Sequence, residues 1–446
     1  MRRKFNFFFD IAFSERESIS AYPTGNPNDF ETWTMAAAPP DHSAVHETVS
    51  TGVHHTGAHD KPTSAAMPDN GDASPAQTTG PAADGNAVTY SMSAGFVGRL
   101  AQLNASVALS SYQSGKFYLL GRNPQGGLMV DERLFQKAMG ICVEDNSLIL
   151  ATQFQIQRFE NVLAPGQFIN HTFDACYVPR ITYTTGVLDA HDIGLLADGE
   201  IIFVNTRYNC LATLSRTRSF TPVWKPAFIS GIVDEDRCHL NGMAMEGGQP
   251  RYVTAVSRSN TIDGWRDRRT GGGVVIDVET QQVVCEGLSM PHSPRLYEGR
   301  LWVLNSGSGE LGWVNPKGRK FTPVAFCPGF LRGLAFNARY AFVGLSKPRY
   351  ERFEGLPLDE KLRQADSDPW CGVQVIDLES GTCVDWFRID GAVAEIYDVA
   401  AVPKVACPMS LGFASQEIQT LITHEELKAG GPPPWGTAGA GGPAMV

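Results

Sequence analysis

The chain of 446 residues is 43% hydrophobic and 19% charged, a balance that supports a large core and excludes a wholly disordered protein. Its formal net charge of −10 at pH 7 argues against nucleic-acid binding, which usually requires a basic surface. No run approaches the roughly 20 apolar residues of a membrane span, and the nine cysteines show no C-x-x-C spacing, so we expect a soluble cytoplasmic protein with reduced thiols and no membrane partner.

The N-terminal segment, residues 1–92, has the composition of a disordered tail. It begins with MRRKFNFFFDIAF, in which Asp10 interrupts the apolar run too early for a signal peptide. Ala, Pro, Gly, Ser, Thr, Asp and His then dominate, and such a segment buries too little apolar surface to offset its ordering entropy. We interpret His54, His55 and His59 as part of this solvated tail and predict a short amphipathic helix directly after it.

The central region, residues 93–413, is predicted to be all β. Short apolar or alternating runs such as EIIFVNTRYNCLATL and GGVVIDVET are separated by Asp-Gly, Glu-Gly, Asn-Ser or Gly-Gly turns. One segment, YERFEGLPLDEKLRQADSDPW, is interpreted as an inserted loop or short helix. Residues 414–446 are predicted to hold a short helix and a loose tail rich in Gly and Pro.

A repeat within this region predicts a β-propeller. Six segments begin with a polar or Gly-containing step and continue into an apolar run, a turn and a second strand. Their superposition places six residues at one equivalent position: Met139, His191, Asn241, His292, Arg332 and Tyr397. A four-stranded blade needs about 40 to 50 residues, so we predict a single propeller of six four-stranded blades, with seven blades or another division into six as alternatives. Residues 111–135 would supply outer strands that close the ring with the last, short repeat unit.

The residues that begin the innermost strands surround one mouth of the central channel, and the repeat therefore predicts a functional site there. His191, His239, His292 and Asn241 are the predicted ligands of a divalent metal, with zinc, manganese and iron all suited to this ligand set. A bound cation would lower the pKa of its water or polarise a carbonyl oxygen. The alternative is a channel lined with polar residues that only satisfy backbone groups and trapped water.

Other residues near the mouth are predicted to act on the substrate. Arg332 and Arg295 would hold an anionic group, because guanidinium groups pair well with carboxylates and phosphates. Tyr397 would donate or accept a proton, as would Asp398 beside it. Asp192 is a candidate to orient the neighbouring histidine.

A loop between two strands of the third blade, residues 257–273, concentrates arginines around a tryptophan in the sequence SRSNTIDGWRDRRTGGG. Trp265, Arg266, Arg268 and Arg269 are predicted to form a flap that grips a carboxylate or phosphate group. The alternative is a solvated loop that pairs with the acidic surface. The chain has no G-x-x-x-x-G-K-[ST] loop and no G-x-G-x-x-G step opening a helix, so we expect no nucleotide cofactor.

The strings RCHLNGMAM, MPHSPRLY and FLRGLAF resemble a bacterial family of conserved hypothetical proteins, over about residues 95–413. That resemblance implies a shared domain without an assigned activity. A looser similarity is to gluconolactonase-like six-bladed propellers, in which an Asn-Gly step on an inner strand contributes to a divalent-metal site, as Asn241 would here. Met139 stands where that family has an acidic ligand, which argues against lactone hydrolysis. Histidine-lined propellers that act as metal-dependent lyases are the closer chemical analogy.

These observations lead to two hypotheses from different functional classes. The first is a metal-dependent lyase or hydrolase that acts on a small anionic or peptide-derived substrate at the channel mouth. The alternative is a non-catalytic propeller that binds a peptide, protein or sugar ligand across the same face.

Overall fold

Period-two alternation and tight turns place the strands of this chain in six sheets, which form a six-bladed β-propeller. The computed structural model describes residues 88–349 and 352–425. The prediction of an all-β propeller with six four-stranded blades is confirmed, and two of the blades carry one additional edge strand.

The strands follow one another with short connections. The first thirteen are β1 (Thr89–Met92), β2 (Ala105–Ser111), β3 (Lys116–Arg122), β4 (Leu128–Leu134), β5 (Ile141–Glu144), β6 (Ser147–Ala151), β7 (Gln155–Asn161), β8 (Ala175–Thr184), β9 (Ala190–Leu195), β10 (Ile201–Asn205), β11 (Cys210–Thr213), β12 (Thr221–Trp224) and β13 (Leu240–Glu246). The others are β14 (Gln249–Ala255), β15 (Gly273–Asp277), β16 (Val283–Leu288), β17 (Pro291–Tyr297), β18 (Arg300–Asn305), β19 (Glu310–Asn315), β20 (Lys320–Phe326), β21 (Phe330–Asn337), β22 (Tyr340–Ser346), β23 (Cys371–Asp377), β24 (Thr382–Asp390), β25 (Asp398–Pro403) and β26 (Pro408–Ser410).

Each blade runs from an innermost to an outermost strand. Blade 1 contains β5 to β8, blade 2 β9 to β12, blade 3 β13 to β16, blade 4 β17 to β20 and blade 5 β21 to β24. In blade 6 the inner strand β25 comes from the end of the propeller, whereas β2, β3 and β4 come from its beginning. The predicted closure of the ring by both ends of the domain is therefore confirmed.

Two further strands cover outer edges. β1 pairs antiparallel with β24 in blade 5, and β26 pairs parallel with β8 in blade 1. The last four residues of the predicted tail, Thr89–Met92, therefore form a strand of the propeller. The ring of Tyr90 in this strand stacks on Phe387, with centroids 5.7 Å apart. Residues 1–87 and 426–446 lie outside the described residues, and the predictions of a disordered tail and a loose C-terminus fall there.

Helices are few in the described part of the chain. Helix α1 (Phe96–Leu103) lies where a short amphipathic helix is predicted and buries its apolar face through Phe96 and Leu100. Helix α2 (Pro357–Gln364) lies in the predicted insertion between β22 and β23. A 3-10 turn at Gln416–Gln419 stands where a short C-terminal helix is predicted. Neither α1 nor α2 has the length and apolar character to cross a bilayer, and the nine cysteines are all unpaired thiols.

Neighbouring innermost strands contact each other at the residue that directly follows each repeat position. Around the ring this residue alternates between glycine and a hydrogen-bond acceptor: Gly140, Asp192, Gly242, Ser293, Gly333 and Asp398. Each acceptor receives a backbone N–H from the next blade: Met243 to Asp192 at 2.9 Å, Gly333 to Ser293 at 3.1 Å and Ile141 to Asp398 at 2.8 Å. Each glycine allows the next blade to approach closely, so a Cβ on Gly242 would lie 2.4 Å from Pro294 Cδ. This alternation fixes the inner strands in register and so positions the mouth.

Candidate functional site

The six repeat positions lie at or beside the start of six innermost strands, and they form a ring at one mouth of the channel. We call Met139, His191, Asn241, His292, Arg332 and Tyr397 the mouth ring. The residues two positions earlier form a rim on the solvent side: Lys137, Asp189, His239, Met290, Phe330 and Glu395. The first four rim residues have φ between 46° and 51°, a left-handed conformation that is unusual for residues other than glycine.

The left-handed rim residues orient two of the histidines. Nδ1 of His191 lies 2.9 Å from the carbonyl oxygen of Asp189, and Nδ1 of His292 lies 2.8 Å from that of Met290. A carbonyl oxygen only accepts, so both imidazoles carry their proton on Nδ1. Their Nε2 atoms keep a lone pair that can take a proton or bind a cation.

His239, a rim residue, is oriented by a carboxylate and a tryptophan. Its Nδ1 donates to Asp236 Oδ2 at 2.8 Å, and the same oxygen accepts Nε1–H of Trp265 at 3.0 Å. The indole ring also stacks on the imidazole, with ring centroids 4.3 Å apart. Trp265, predicted to contact substrate, is buried here against His239 and holds that ring in place.

Four of the predicted site residues are brought together. The rings of His191 and His239 lie 5.0 Å apart, and those of His191 and Tyr397 lie 5.3 Å apart. The guanidinium carbon of Arg332 lies 5.0 Å from the centre of the Tyr397 ring. His292 joins this group through Phe330, which packs edge-on against the imidazole and lies beside Arg332. The mouth thus combines bases, a phenol and a cation.

Burial sets the protonation states of the mouth. It holds the pKa of His191 well below its usual value, and the charges of His239 and Arg332 lower it further. Burial and the nearby charge of Arg332 likewise hold the pKa of His292 well below its usual value. Burial raises the pKa of Tyr397 well above its usual value, although Arg332 opposes the shift. At neutral pH the site therefore holds two neutral imidazoles beside a protonated phenol.

Several buried polar atoms of the mouth ring have no hydrogen-bond partner among the described residues. These atoms are Tyr397 Oη, His292 Nε2, Asn241 Nδ2 and Arg332 Nε. A buried polar group without a partner costs about 1–3 kcal/mol, so four of them in one ring indicate a place where a ligand or water completes the hydrogen bonds.

The predicted metal ligands lie at the mouth without forming a preassembled centre. Among the described residues no group of three or more His, Cys, Asp or Glu side chains is placed to hold a metal ion. Asn241 Oδ1, the atom that would bind a cation, accepts a hydrogen bond from Thr254 at 2.7 Å. The metal centre stays a prediction.

The two arginines predicted to bind an anionic group lie in different surroundings. Arg332 pairs with Glu395 at 3.0 Å, and its Nε is free of hydrogen bonds to described residues. Arg295 lies farther along its strand, inside the channel, and forms a two-point ion pair with Asp192 at 2.7 and 3.1 Å. Arg295 also lies 3.9 Å from Asp398. Burial raises the pKa of the Asp398 carboxyl to about 7. The Arg295 guanidinium therefore pairs with carboxylates of the channel wall.

The arginines of the loop at residues 257–273 are exposed and bonded mainly within the loop. Arg266 pairs with Asp263 and lies over the Trp265 ring at 4.6 Å. Arg268 and Arg269 donate to backbone carbonyl oxygens of the same loop. This geometry gives the loop one clear structural role, the support of Trp265 and thereby of His239.

Five residues of the site were missed by reasoning from the sequence: Lys137, Tyr112, Asp236, Phe330 and Glu395. Three of them occupy rim positions, two residues before a repeat position, so the repeat itself contained a signal for them. Tyr112 and Asp236 lie in loops where no such spacing identifies them.

Comparison with known proteins gives a family. The family model described as a domain of unknown function, DUF4915, matches residues 94–411. No curated protein sequence matches the chain.

Similar solved structures include a chain of a nidogen/laminin complex, at 10% identity and a TM-score of 0.42, covering 67% of this chain and 99% of that one. A catalytically inactive virginiamycin B lyase from Staphylococcus aureus with quinupristin matches at 12% identity and a TM-score of 0.33, covering 54% of this chain and 73% of that one. A streptogramin B lyase matches at 12% identity and a TM-score of 0.33, over 54% and 72% of the two chains. These similarities concern the fold alone.

Proposed function

The chain belongs to the DUF4915 family, a domain of unknown function, and we propose that its channel mouth is an enzyme site that moves a proton on a small anionic substrate, as a lyase or a hydrolase does. The observation that carries this proposal is the buried, unpartnered hydroxyl of Tyr397, which lies beside the neutral imidazole of His191 and in one ring with the unpartnered Nε2 of His292. A folded protein keeps such groups unsatisfied where a ligand is to meet them.

The roles follow from charge and position. Arg332 binds the anionic group of the substrate, because its guanidinium faces the mouth with a donor still unused. His191 acts as general base, since it is neutral and its Nε2 lone pair is available. Tyr397 acts as general acid, since its phenol is protonated and lies beside His191.

In a lyase reaction these groups give a balanced cycle. His191 Nε2 takes a proton from the carbon next to the anionic group, and the electron pair left behind forms the new double bond. The leaving group departs with its bonding electrons and takes the proton of Tyr397. The imidazolium then returns its proton to the phenolate, which Arg332 stabilises meanwhile. In a hydrolase the same base would deprotonate water.

The predicted divalent cation, zinc, manganese or iron, belongs to this proposal as a separate hypothesis. Bound to Nε2 atoms of the histidines, it would act as a Lewis acid on a substrate oxygen. The histidine arrangement does not fit it as it stands, since the described side chains offer no group of three ligands in place, and no step above depends on it. Elemental analysis of the purified protein and of His239→Ala tests this part alone.

Exposed apolar residues on the same face favour binding of a peptide or protein as the second candidate function. Leu134 exposes 73% of its surface, Phe154 40% and Ile262 66%. Phe154 and Ile262 lie in loops that join second to third strands, on the face where the inner strands begin. A non-catalytic propeller would use these residues together with the mouth.

The proposal is tested by proton exchange, which needs no knowledge of the leaving group. The protein is incubated in D2O with a panel of hydroxy, amino and acyl carboxylates, and deuterium at the carbon next to each carboxylate is followed by NMR. We expect exchange or elimination with at least one compound. Tyr397→Phe should reduce elimination by about a hundredfold or more, as expected for loss of a general acid.

Stability measurements separate this role from a structural one. Removal of a buried hydroxyl without a partner should leave the free energy of unfolding unchanged or raise it by up to about 1 kcal/mol. Tyr177→Phe, at another buried tyrosine outside the mouth, is the control. Compounds that bind in an Arg332-dependent manner without any exchange or turnover would instead establish the binding function.

A further inference from the structure

Resting on the proposed function, we infer that the substrate is an elongated molecule with two anionic groups, one at Arg332 and the second at Lys137. The second subsite is a cavity beside the mouth, formed by the loop between β2 and β3 and by the chain that leaves β4. It is lined by Tyr112, Gln113, Ser114, Gly115, Leu134, Gln136 and Lys137 and has a volume of about 430 Å3. A cavity of this size holds a substantial part of a small ligand.

Lys137 supplies the charge of this subsite. It is half-buried, and with the described residues it makes no hydrogen bond or ion pair. Its ammonium group lies 5.1 Å from the centre of the Tyr112 ring, a cation–π contact that holds it in place. It also acts on the carboxyl of Asp189: burial raises the pKa of Asp189, and the charges of Arg207 and Lys137 oppose that shift. Its left-handed backbone, with φ 51°, turns this rim residue out of the regular strand path.

A stack of two rings joins this subsite to the mouth. Tyr112 and Tyr397 are stacked with centroids 5.7 Å apart, and Arg332 lies over Tyr397 as Lys137 lies over Tyr112. The backbone N–H of Gln113 also donates to Glu395 at 3.1 Å, and this carboxylate pairs with Arg332. Two cations therefore stand at the two ends of one aromatic stack.

The walls between the two cations indicate the chemistry of the linker. Tyr112 offers the edge of its ring and Leu134 an exposed aliphatic side chain, whereas Gln113, Ser114 and Gln136 offer hydrogen-bonding groups. A chain with apolar carbon atoms between two anionic ends matches this arrangement. A substrate with a single charge would leave Lys137 without a direct ion pair among the described residues and the substrate.

Binding of simple carboxylates tests the inference. Isothermal titration calorimetry would compare dicarboxylates from succinate to sebacate with monocarboxylates from butyrate to decanoate. We expect dicarboxylates of a preferred chain length to bind about fivefold tighter than monocarboxylates of equal length, the gain of one additional ion pair. Lys137→Met should abolish this preference, whereas Lys137→Arg should preserve it.

Controls make the result specific. Lys317→Met removes an exposed lysine from the turn between β19 and β20 and should leave the preference intact. A preference that is absent in the wild type, or that survives in Lys137→Met, would overturn the second subsite while the proposed function stands. Monocarboxylate binding that is unchanged in Arg332→Gln would overturn the proposed function itself. No carboxylate binding at all by the wild type would overturn both.

Discussion

At the scale of single residues, the site depends on imidazoles held in one tautomer. The carbonyls that fix His191 and His292 come from Asp189 and Met290, which adopt left-handed conformations. Such conformations cost about 1–2 kcal/mol for a residue with a Cβ, and Met290 has no side-chain hydrogen bond to offset this. Strain of this kind concentrates at functional sites.

Buried neutral histidines predict a loss of stability on acidification. Their pKa is lower in the folded than in the unfolded protein, so the unfolded state takes up protons first as the pH falls below about 6.5. The free energy of unfolding should then fall by about 1.4 kcal/mol per pH unit for each histidine. Asp398 acts in the opposite direction. Its pKa is raised to about 7 in the folded protein, so the folded state takes up a proton before the unfolded state does as the pH falls, which increases the free energy of unfolding.

Comparison with a variant isolates the histidine contribution. Urea unfolding would give the free energies of unfolding of the wild type and of His292→Gln at about pH 7.5 and about pH 5.5. Between these pH values the wild type should lose about 1.4 kcal/mol more than the variant. Asp398 is present in both proteins and cancels. Equal pH dependence in the two proteins would show that His292 is not held neutral by burial.

At the scale of elements, the inner strands meet through the alternation of glycines and acceptors. Blades 2, 4 and 6 each contribute an acceptor side chain, and blades 1, 3 and 5 each contribute a glycine. The six-bladed ring therefore has a threefold pattern of contacts just beyond the mouth ring. Since this residue follows the repeat position directly, a disturbance of one contact displaces the site residue beside it.

Gly333 tests this pattern. A Cβ there would lie 2.3 Å from the backbone nitrogen of Val399, and φ is 78°. We expect Gly333→Ala to lower the free energy of unfolding by more than about 3 kcal/mol, because backbone cannot move aside as a side chain does. Gly199→Ala is the matched control, with φ 82° and no atom within 4 Å of the added Cβ.

Urea unfolding measures both variants. The control should lose only the left-handed strain of about 1–2 kcal/mol. If the two glycine variants lose equal stability, close approach between the inner strands of blades 5 and 6 does not constrain the ring.

At the scale of the whole molecule, the propeller is closed by segments from its two ends. Residues Ala105 to Ser110 pair with Pro403 to Asp398, so blade 6 forms only when β2 and β25 meet. β1 and β26 then cover the outer edges of blades 5 and 1. Closure leaves no inner strand unpaired and unites the blades in one ring.

A truncated chain tests the dependence on closure. A chain ending at Asp390 lacks β25 and β26, and we expect it to lose the cooperative thermal transition seen by circular dichroism. Addition of a separate peptide of residues 391–425 should restore the transition, since it supplies the missing inner strand. A truncated chain that melts within a few degrees of the full chain would contradict this account.

The local pattern of the sequence was sufficient for the fold and for the ring of six repeat positions at one mouth of the channel. Alternating apolar residues and turn residues act over a few positions, so strands, blade length and the six repeat positions follow from them directly. The polar residues at those positions likewise identify the mouth. The first strand, Thr89–Met92, was missed because it has no core of its own and pairs with β24, which lies far along the chain.

The availability of each side chain was decided by the tertiary structure alone. Arg295 and Arg332 have the same chemistry, yet one is bound by Asp192 inside the channel and the other keeps an unused donor at the mouth. Trp265 stacks on His239 and supports it, and Lys137 lies over the ring of Tyr112. Partners of this kind come from distant parts of the chain, and hydrogen bonding and burial depend on those partners. The sequence therefore determined which residues surround the mouth, and packing decided which of them are free to act.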